Sequence, residues 1–204
     1  MWMLKKPDDY FDVAWRREVG GGPILINLIH DIDNLRFICG EIADVSAALS
    51  SAARGFVVED TAAVTFCFAN GALGTATLSD ATPAPWSWEI SSGENSVYPR
   101  QNENCYFFAG TAGSLALPRL DLWSYKGKPS WWEPLTRSII DAAPADPLLE
   151  QLRHFIAVIR GECAPIISAS DAAGTLAVIE AIRRSSQSRK TASVESIASR
   201  RLVS

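Results

Sequence analysis

One segment of the chain, "GGGPILINLIHDIDNLRFICG" from Gly20 to Gly40, limits most strongly what the sequence can fold into. Pro23 suits the first position of a helix, where its missing N–H is not needed, and Gly40 suits the C-terminal end. Placed at about 100° per residue, apolar side chains cover a broad arc of this helix: Ile24, Leu25, Leu28, Ile29, Ile32, Leu35 and Cys39. The pattern predicts a helix that packs against a core over most of its surface.

A polar strip occupies the remaining side of the predicted helix. Asn27, His30, Asp31 and Asn34 fall together within about 100° of its circumference. Asn27 and Asn34 stand three residues before and four residues after His30, which makes both side chains its neighbours. If the strip lines a cleft, His30 can donate or accept a proton near neutral pH. A helix with one solvated edge and an incidental histidine explains the same pattern, so the residues alone leave both interpretations open.

The middle of the chain is predicted to be rich in strands. Alternating side chains in Val64–Phe68 and Ala72–Leu78, separated by Asn70-Gly71, are typical of a β-hairpin. Further strands are predicted in these segments, in chain order: "MWMLKK", "IADVSAALS", "GFVVED", "WSWEI", "CYFFAG", "SLALP" and "LDLWSY". Most of them follow one another through short turns, which favours antiparallel pairing.

Two helices are predicted near the end of the chain. The segment "DPLLEQLRHFIAVIRG" carries an apolar face and ends at Gly161, and "SDAAGTLAVIEAIRRSS" is predicted to start at a Ser170 cap. The predicted fold class is therefore α+β, with an open, mostly antiparallel β-sheet of roughly six or more strands and helices packed on one face. We assign residues 1–185 to one domain and residues 186–204 to a polar C-terminal tail.

Charge and cysteine spacing argue against several classes of function. The 204-residue chain has a net charge of -4, whereas phosphate binding requires a basic face, so we expect no nucleic-acid partner. We find no apolar run suited to a bilayer or a leader peptide, so we expect no membrane partner and a cytoplasmic location. The cysteines lie far apart without a C-x-x-C pair, which predicts neither a zinc site nor a disulfide scaffold: Cys39, Cys67, Cys105 and Cys163.

The segment "WRREVGGGPILINLIHDIDNLRFICGEI" resembles the signature helix of the Gfo/Idh/MocA family of NAD(P)-dependent oxidoreductases, in which a glycine triplet leads into the helix that bears the catalytic histidine. The likeness continues, in the order of that family's C-terminal domain, through "VVEDTAAVTFCFANGALGT", "ENCYFFAGTAGSLALPRLDLW" and "HFIAVIRGECAPIISASDAAGTLAVIEAIRRS". On this resemblance, His30 exchanges a proton with a substrate hydroxyl or carbonyl while hydride passes to or from the nicotinamide. The implied substrate is a sugar, a polyol or a related hydroxylated small molecule.

The chain departs from that family's pattern in two ways. Many members carry an aspartate four residues before the histidine, and Ile26 occupies that position here. The nucleotide-binding half, with its glycine-rich turn and catalytic lysine, is not in the chain. Gly20–Gly22 do not replace it, because no further glycine follows at dinucleotide spacing and "AWRREV" before them is not a buried strand. Lys6-Pro7 should likewise not be mistaken for the family's lysine-proline motif, which belongs to that half.

The resemblance therefore implies a substrate-binding and oligomerisation domain that is dehydrogenase C-terminal-domain-like and has no Rossmann half. In the full-length protein, NAD or NADP is expected to bind mainly to the absent N-terminal domain. We expect no cofactor on this chain alone, and no activity of this chain alone.

Residues outside the helix complete the predicted substrate site. Arg16, just before the glycine triplet, suits a substrate carboxylate, although packing and solvation also explain it. The polar and aromatic loop "APWSWEISSGENSVYPRQNEN" contains Asn95 and Tyr98, which suit a polyol pocket or a contact with a neighbouring subunit. The predicted site thus has His30 as its catalytic residue and no metal. Its predicted substrate-binding residues are Asn27, Asp31, Asn34, Arg16, Asn95 and Tyr98.

An open sheet leaves one face and its edges uncovered. Because the chain has seven tryptophans and several aromatic strands, we expect that face to be buried in a homo-oligomer, either a dimer or a tetramer. A second hypothesis is a non-catalytic module that dimerises or binds carbohydrate. Ile26 and the absent cofactor half both favour that second hypothesis.

Overall fold

The computed structural model describes residues 1–143 and 145–195, and the chain divides into two compact units. The first unit comprises Trp2–Pro83 and the chain from Pro165 onward, and the second comprises Met1 and Ala84–Ala164. Each unit has its own sheet. The predicted α+β class with open, antiparallel-rich sheets is confirmed, but the strands form two sheets instead of one.

Strands and helices are numbered along the chain. The strands of the described residues are β1 (Trp2–Met3), β2 (Ile42–Ser50), β3 (Thr61–Phe68), β4 (Leu73–Ser79), β5 (Tyr106–Ala109), β6 (Ser114–Leu117), β7 (Asp121–Ser124), β8 (Thr136–Ile139) and β9 (Ala192–Ser193). The helices are α1 (Ile29–Cys39), α2 (Trp88–Ser91), α3 (Pro147–Ile159) and α4 (Ala169–Ser188). Two 3-10 turns (Asp8–Asp12 and Ala14–Arg17) and a π-helical turn (Ile24–Leu28) precede α1.

The sheet of the first unit has the strand order β1-β4-β3-β2-β9. The β1–β4 pair is parallel and the other pairs are antiparallel. The predicted hairpin is confirmed as β3–β4. In its turn, the Asn70 side chain accepts a hydrogen bond from the Ala72 N–H at 3.0 Å and donates one to the Cys39 carbonyl at 2.8 Å. The turn thus ties the end of α1 to the sheet.

The core of the first unit lies on one face of this sheet. Helix α4 packs against β2, and α1 packs against α4. The buried side chains alternate along the strands and recur on the helical segments: Val45, Ala62, Val64, Phe66, Phe68, Ala76, Leu78, Ile24, Leu28, Ile32, Val178, Ile179, Ala181 and Ile182. The rest of the predicted apolar arc is half-buried against the same core: Leu25, Ile29, Leu35 and Cys39. The prediction of a helix packed over most of its surface is confirmed.

The opposite face of the same sheet presents small side chains. Ser46, Thr65 and Thr75 lie side by side across β2, β3 and β4, and all three are exposed. Of the seven tryptophans, Trp2 alone belongs to this sheet, and it is buried in the core. The open face of this sheet therefore carries mostly small side chains with one exposed leucine, Leu73, in contrast to the aromatic face that the tryptophan content suggested.

The second unit contains the antiparallel sheet β5-β6-β7-β8. Strands β5, β6 and β7 coincide with predicted strands, whereas β8 was not predicted. Helix α3 begins where Asp146 accepts hydrogen bonds from the Leu148 and Leu149 N–H groups. Its apolar side chains at Leu152 and Phe155 are exposed.

Two predicted strands are wrong. The segment "GFVVED" is a loop, in which the Asp60 carboxylate accepts a hydrogen bond from the Arg54 N–H at 2.8 Å and bends the chain back on itself. The segment "WSWEI" contains helix α2 instead of a strand, because the Ser91 N–H reaches the Ser87 carbonyl four residues earlier at 3.0 Å. In both cases local hydrogen bonds outweigh the strand preference of valine, phenylalanine and tryptophan.

The cap of α4 and the chain after it also differ from prediction. Ser168 caps the helix instead of Ser170, since its hydroxyl accepts a hydrogen bond from the Asp171 N–H at 3.1 Å. Residues 186–188 of the predicted tail complete α4, and β9 pairs with β2. The remainder of that tail, residues 196–204, lies outside the described residues. No helix in the part of the chain that the structure describes is long and apolar enough to cross a membrane.

Candidate functional site

Two glycines of the triplet leave space for the groups that lie against them. A Cβ atom on Gly21 would overlap the carbonyl oxygen of Trp15, and one on Gly22 would overlap the Glu59 carboxylate. That carboxylate accepts a hydrogen bond from the Ile24 N–H at 3.0 Å. It therefore satisfies one free N–H group at the helix start and complements the positive end of the helix dipole.

The same contacts decide whether the triplet can hold a dinucleotide. A pyrophosphate needs open space beside the glycines and free N–H groups at the helix N-terminus. Here a backbone carbonyl and a carboxylate fill that space, and the carboxylate would repel a phosphate. The residues at the triplet therefore do not fit NAD or NADP. The described residues also contain no group of three or more His, Cys, Asp or Glu side chains that could hold a metal ion.

The structure divides the predicted polar strip into exposed and buried members. His30 and Asn34 are exposed, Asn27 is half-buried, and Asp31 is buried at 6% exposure. The α-helical spacing used for the prediction does not hold through the π-helical turn at Ile24–Leu28, whose hydrogen bonds span five residues. Within α1, His30 and Asn34 keep their spacing of four, while Asp31 turns toward the protein interior.

Lys6 lies beside the half-buried member of the strip. Its ammonium donates a hydrogen bond to Asn27 Oδ1 at 2.8 Å and lies 3.6 Å from Asp80 Oδ2. The rings of Tyr10 and Trp2 also face it, with centroids at 4.8 Å and 5.7 Å. Lys6 had no role in the predicted site. The available signal was a lysine at the end of a segment, "MWMLKK", that is otherwise typical of a core strand.

Asp80 balances this lysine from the end of β4. Arg54 Nε donates to Asp80 Oδ1 at 3.1 Å, so the carboxylate lies between two cations. Burial raises the pKa of the Asp80 carboxyl above its ordinary value, although the charges of Lys6 and Arg54 oppose that rise. Lys6, Asp80 and Arg54 thus form a desolvated ion cluster that holds the Lys6 side chain in place.

Tyr10 brings the predicted residue Arg16 into the same cluster. Arg16 donates a hydrogen bond to the Tyr10 carbonyl at 2.7 Å, and its guanidinium lies 4.0 Å from the centre of the Tyr10 ring. The Tyr10 ring therefore contacts two cations, Arg16 and Lys6. Lys6 in turn contacts Asn27, so the structure links Arg16 to the polar strip through two intervening side chains.

Asn95 and Tyr98 belong to the second unit, where they line one cavity of about 410 Å³. The other side chains around it include Trp88, whose indole N–H donates to Glu94 at 2.7 Å. Asn95 Oδ1 accepts the Val97 N–H at 3.0 Å, which shapes the loop and leaves the amide N–H groups of Asn95 for other contacts. The structure thus brings two predicted residues together with an aromatic ring and a carboxylate.

The open, antiparallel-rich sheets and the helices beside them match the fold of dehydrogenase C-terminal domains. The family profile described as the GFO/IDH/MocA C-terminal domain matches residues 2–116, more than half of the chain. The chain belongs to this family. No curated protein matches the chain.

Three solved structures show the same fold. A NAD-binding protein from Listeria innocua has a TM-score of 0.69 at 20% identity, over 95% of this chain and 54% of its own. The WlbA dehydrogenase from Bordetella pertussis, in complex with NADH and UDP-GlcNAcA, has a TM-score of 0.70 at 22% identity, over 95% of this chain and 52% of its own. Levoglucosan dehydrogenase in complex with NADH has a TM-score of 0.66 at 19% identity, over 96% of this chain and 57% of its own. This chain therefore spans about half the length of the structures that it matches.

Proposed function

We propose that this chain is the substrate-binding and oligomerisation domain of an NAD(P)-dependent oxidoreductase that acts on a sugar, a polyol or a related hydroxylated small molecule. His30 is its acid/base. The observation that supports this most strongly is the exposure of His30 on a helix whose opposite side is packed into the core. A packed helix fixes the backbone that bears the imidazole while leaving the ring accessible to a ligand.

The chemistry assigned to His30 is proton transfer. A neutral imidazole takes the proton of a substrate hydroxyl, and the imidazolium returns it in the reverse direction. The nicotinamide of NAD(P), held by the rest of the longer protein, would accept or return the hydride of that carbon. Asn34 lies one helical turn further along on the same exposed side, where its amide can hydrogen-bond a second substrate oxygen. Asp31 is buried, so we assign the direct contacts from this helix to Asn27 and Asn34.

The cavity around Asn95 and Tyr98 is proposed to contribute specificity. Its aromatic faces suit the C–H surface of a sugar ring, and its amide and carboxylate groups suit hydroxyls. The relatives whose structures contain UDP-GlcNAcA or levoglucosan support a sugar-type ligand.

NAD or NADP is proposed to bind mainly to a part of a longer protein that this chain does not contain. The occupied space at Gly21 and Gly22 supports that placement, because the triplet cannot cradle a pyrophosphate. The matched structures support it as well, because this chain covers only about half the length of each.

The two histidines of the chain allow a direct test by NMR. We expect saturable shifts of the His30 and Asn34 signals on titration with D-glucose, myo-inositol or D-glucuronate, while His154 on α3 serves as the internal control. His30→Ala should abolish the response at Asn34 or weaken it severalfold. In the longer protein, the same substitution should lower turnover by about 100-fold, the usual contribution of a general acid or base.

The hypothesis of a non-catalytic module predicts a different outcome. A sugar would then bind without perturbing His30, or His30→Ala would change turnover of the longer protein by less than about threefold. Either result would remove the acid/base assignment. Binding that perturbs only the Trp88 and Tyr98 signals would instead support a carbohydrate-binding role for the second unit.

A further inference from the structure

Helix α3 carries a continuous apolar face that the described residues leave uncovered. None of its thirteen residues is buried. At about 100° per residue, six apolar side chains fall within about 120° of its circumference. Each of the six is between 39% and 73% exposed: Leu148, Leu149, Leu152, Phe155, Ile156 and Ile159. An apolar face of this extent is typical of a surface that binds another protein surface.

The other contacts of α3 do not replace a packed face. Asp146 accepts hydrogen bonds from the first N–H groups of the helix, and Arg153 donates one to Glu150 at 2.5 Å outside the apolar face. An exposed ion pair contributes little, and a helix of about this length is marginal in water unless an amphipathic face is packed. The stability of α3 therefore depends on a partner surface.

The size of this face distinguishes between two kinds of partner. Full burial of a leucine or isoleucine side chain removes on the order of 60–120 Å² from water, so six side chains that are about half exposed offer roughly 200–400 Å². Two separate copies that associate stably bury about 800 Å² each, which this face does not reach. Two domains of one chain associate through about 300 Å² or more on each side, because the link between them raises their effective concentration. The area therefore favours a partner that is joined to this chain.

The longer protein of the proposed function contains such a partner. This chain covers 54%, 52% and 57% of three matched structures, so the longer protein has a further part of similar size. Met1 belongs to the same unit as α3, and its amine donates to the Cys105 carbonyl at 2.6 Å. A part joined ahead of Met1 is therefore attached to the unit that carries the apolar face.

We propose that the apolar face of α3 is the docking surface for the NAD(P)-binding part of the longer protein. This inference rests on the proposed function, which places the cofactor on that part. Leu152 and Phe155 lie at the middle of the face and make the central contacts. The docked part presents an apolar surface of matching size, and the contact fixes the second unit to it.

Hydrogen exchange of the backbone amides tests the proposal on two proteins, the 204-residue chain and the longer protein. In the 204-residue chain, the amides of α3 should exchange at least about 100-fold faster than those of α4, whose buried side chains belong to the core. In the longer protein, the amides of α3 should slow by about tenfold or more relative to the same reference helix.

Substitutions on α3 show whether the apolar face causes this slowing. Phe155→Asp places a charge in the middle of the face and should abolish the slowing in the longer protein. Gln151→Asp adds the same charge at an exposed position outside the face and should leave the slowing intact. If Phe155→Asp unfolds the helix, Leu152→Ala shortens the face without adding a charge and should reduce the slowing severalfold.

Two results would overturn the proposal. Slow exchange of α3 in the 204-residue chain would show that this chain or a second copy covers the helix, and a fall in molar mass of Phe155→Asp in light scattering would identify the second copy. Equal exchange of α3 in the two proteins would show that nothing in the longer protein covers it. If α3 slows as expected but His30→Ala changes turnover by less than about threefold, the acid/base assignment fails and the docking surface stands.

Discussion

At the scale of single residues, the space beside Gly22 makes one contact testable. Gly22→Ala should push the Glu59 carboxylate off the Ile24 N–H and cost about 1 kcal/mol, the usual value of one hydrogen bond. In a Glu59→Ala background nothing remains to displace, so the same substitution should cost less. Urea denaturation of the wild type, Gly22→Ala, Glu59→Ala and the double variant gives the four unfolding free energies of this double-mutant cycle. Equal costs in both backgrounds would show that Glu59 is not what excludes the methyl group.

The same scale contains a carboxylate whose ionisation stabilises the second unit. The Asp121 side chain is 7% exposed and bonds Asn104 Nδ2 at 2.9 Å and Arg137 Nε at 3.0 Å. Burial acts to raise the pKa of Asp121, but the hydrogen bonds from Arg137 and Asn104 and the nearby arginine charges lower it below its ordinary value.

This lowered pKa sets the sign of a pH dependence. Because the folded protein binds the proton less readily, the stabilisation from Asp121 is complete above its ordinary pKa of about 3.9 and is lost as pH falls through the lower folded value. The difference in unfolding free energy between wild type and Asp121→Asn should therefore shrink below about pH 4. The exposed control Asp141→Asn should show no such pattern. A difference in unfolding free energy between wild type and Asp121→Asn that stays constant below pH 6 would contradict a lowered pKa of Asp121.

At the scale of elements, one arginine joins the two helices that pack in the first unit. Arg36 on α1 donates to Thr175 Oγ1 at 2.6 Å and Asp171 Oδ1 at 3.0 Å, both on α4, and also binds Glu41. The hydrogen bond with Glu41 raises the pKa of Arg36 further, whereas burial acts to lower it, so the guanidinium stays charged. A Cβ atom on Gly174 would overlap the Arg36 guanidinium, so the glycine leaves the space that the arginine fills.

Removal of this arginine should loosen the α1–α4 contact. We expect Arg36→Met to lower the free energy of unfolding by about 2 kcal/mol, because several hydrogen bonds to a charged group are lost while its acidic partners regain water. The matched control is Arg183→Met on α4, whose pair with Glu180 is more exposed and should be worth less than about 0.5 kcal/mol. Chemical denaturation measures the loss of unfolding free energy in both variants. Equal losses would show that the Arg36 cluster adds nothing beyond a surface ion pair.

At the scale of the whole molecule, the open face of the first sheet is the proposed contact between copies. Most of its side chains are small, so two copies can approach closely. Thr65 stands on the central strand β3, where a large charge would meet its equivalent across such an interface.

Substitution on this face should therefore change the molar mass in solution. Light scattering should show at least a dimer for the wild type and the mass of a single chain for Thr65→Arg, because burial of an unpaired guanidinium is costly. Gln187→Arg adds the same charge at an exposed position of α4, the helix that covers the other face, and should leave the mass unchanged. A wild-type monomer, or a dimer that tolerates Thr65→Arg, would contradict a sheet-mediated assembly.

Much of the fold follows from local patterns. The apolar arc around Ile32 and the alternation through Phe66 predict buried faces because side-chain direction repeats with the period of the helix or strand. The loop at residues 55–60 and helix α2 were missed because their shape depends on single hydrogen bonds, such as Asp60 to the Arg54 N–H, that no period reveals. The polar strip was predicted from the spacing of about 100° per residue. That Asp31 is buried while His30 and Asn34 are exposed was not predicted.

The sequence by itself determined the family, the α+β class and the helix that carries His30, since each is written in contiguous residues whose spacing sets which side faces the core. Only the tertiary structure decided that Glu59 fills the space at Gly22, that the open sheet face carries mostly small side chains, and that Lys6 bonds Asn27. Those contacts join residues that are 21 to 35 positions apart in the chain. Their geometry depends on how the packed elements meet, which no local spacing encodes.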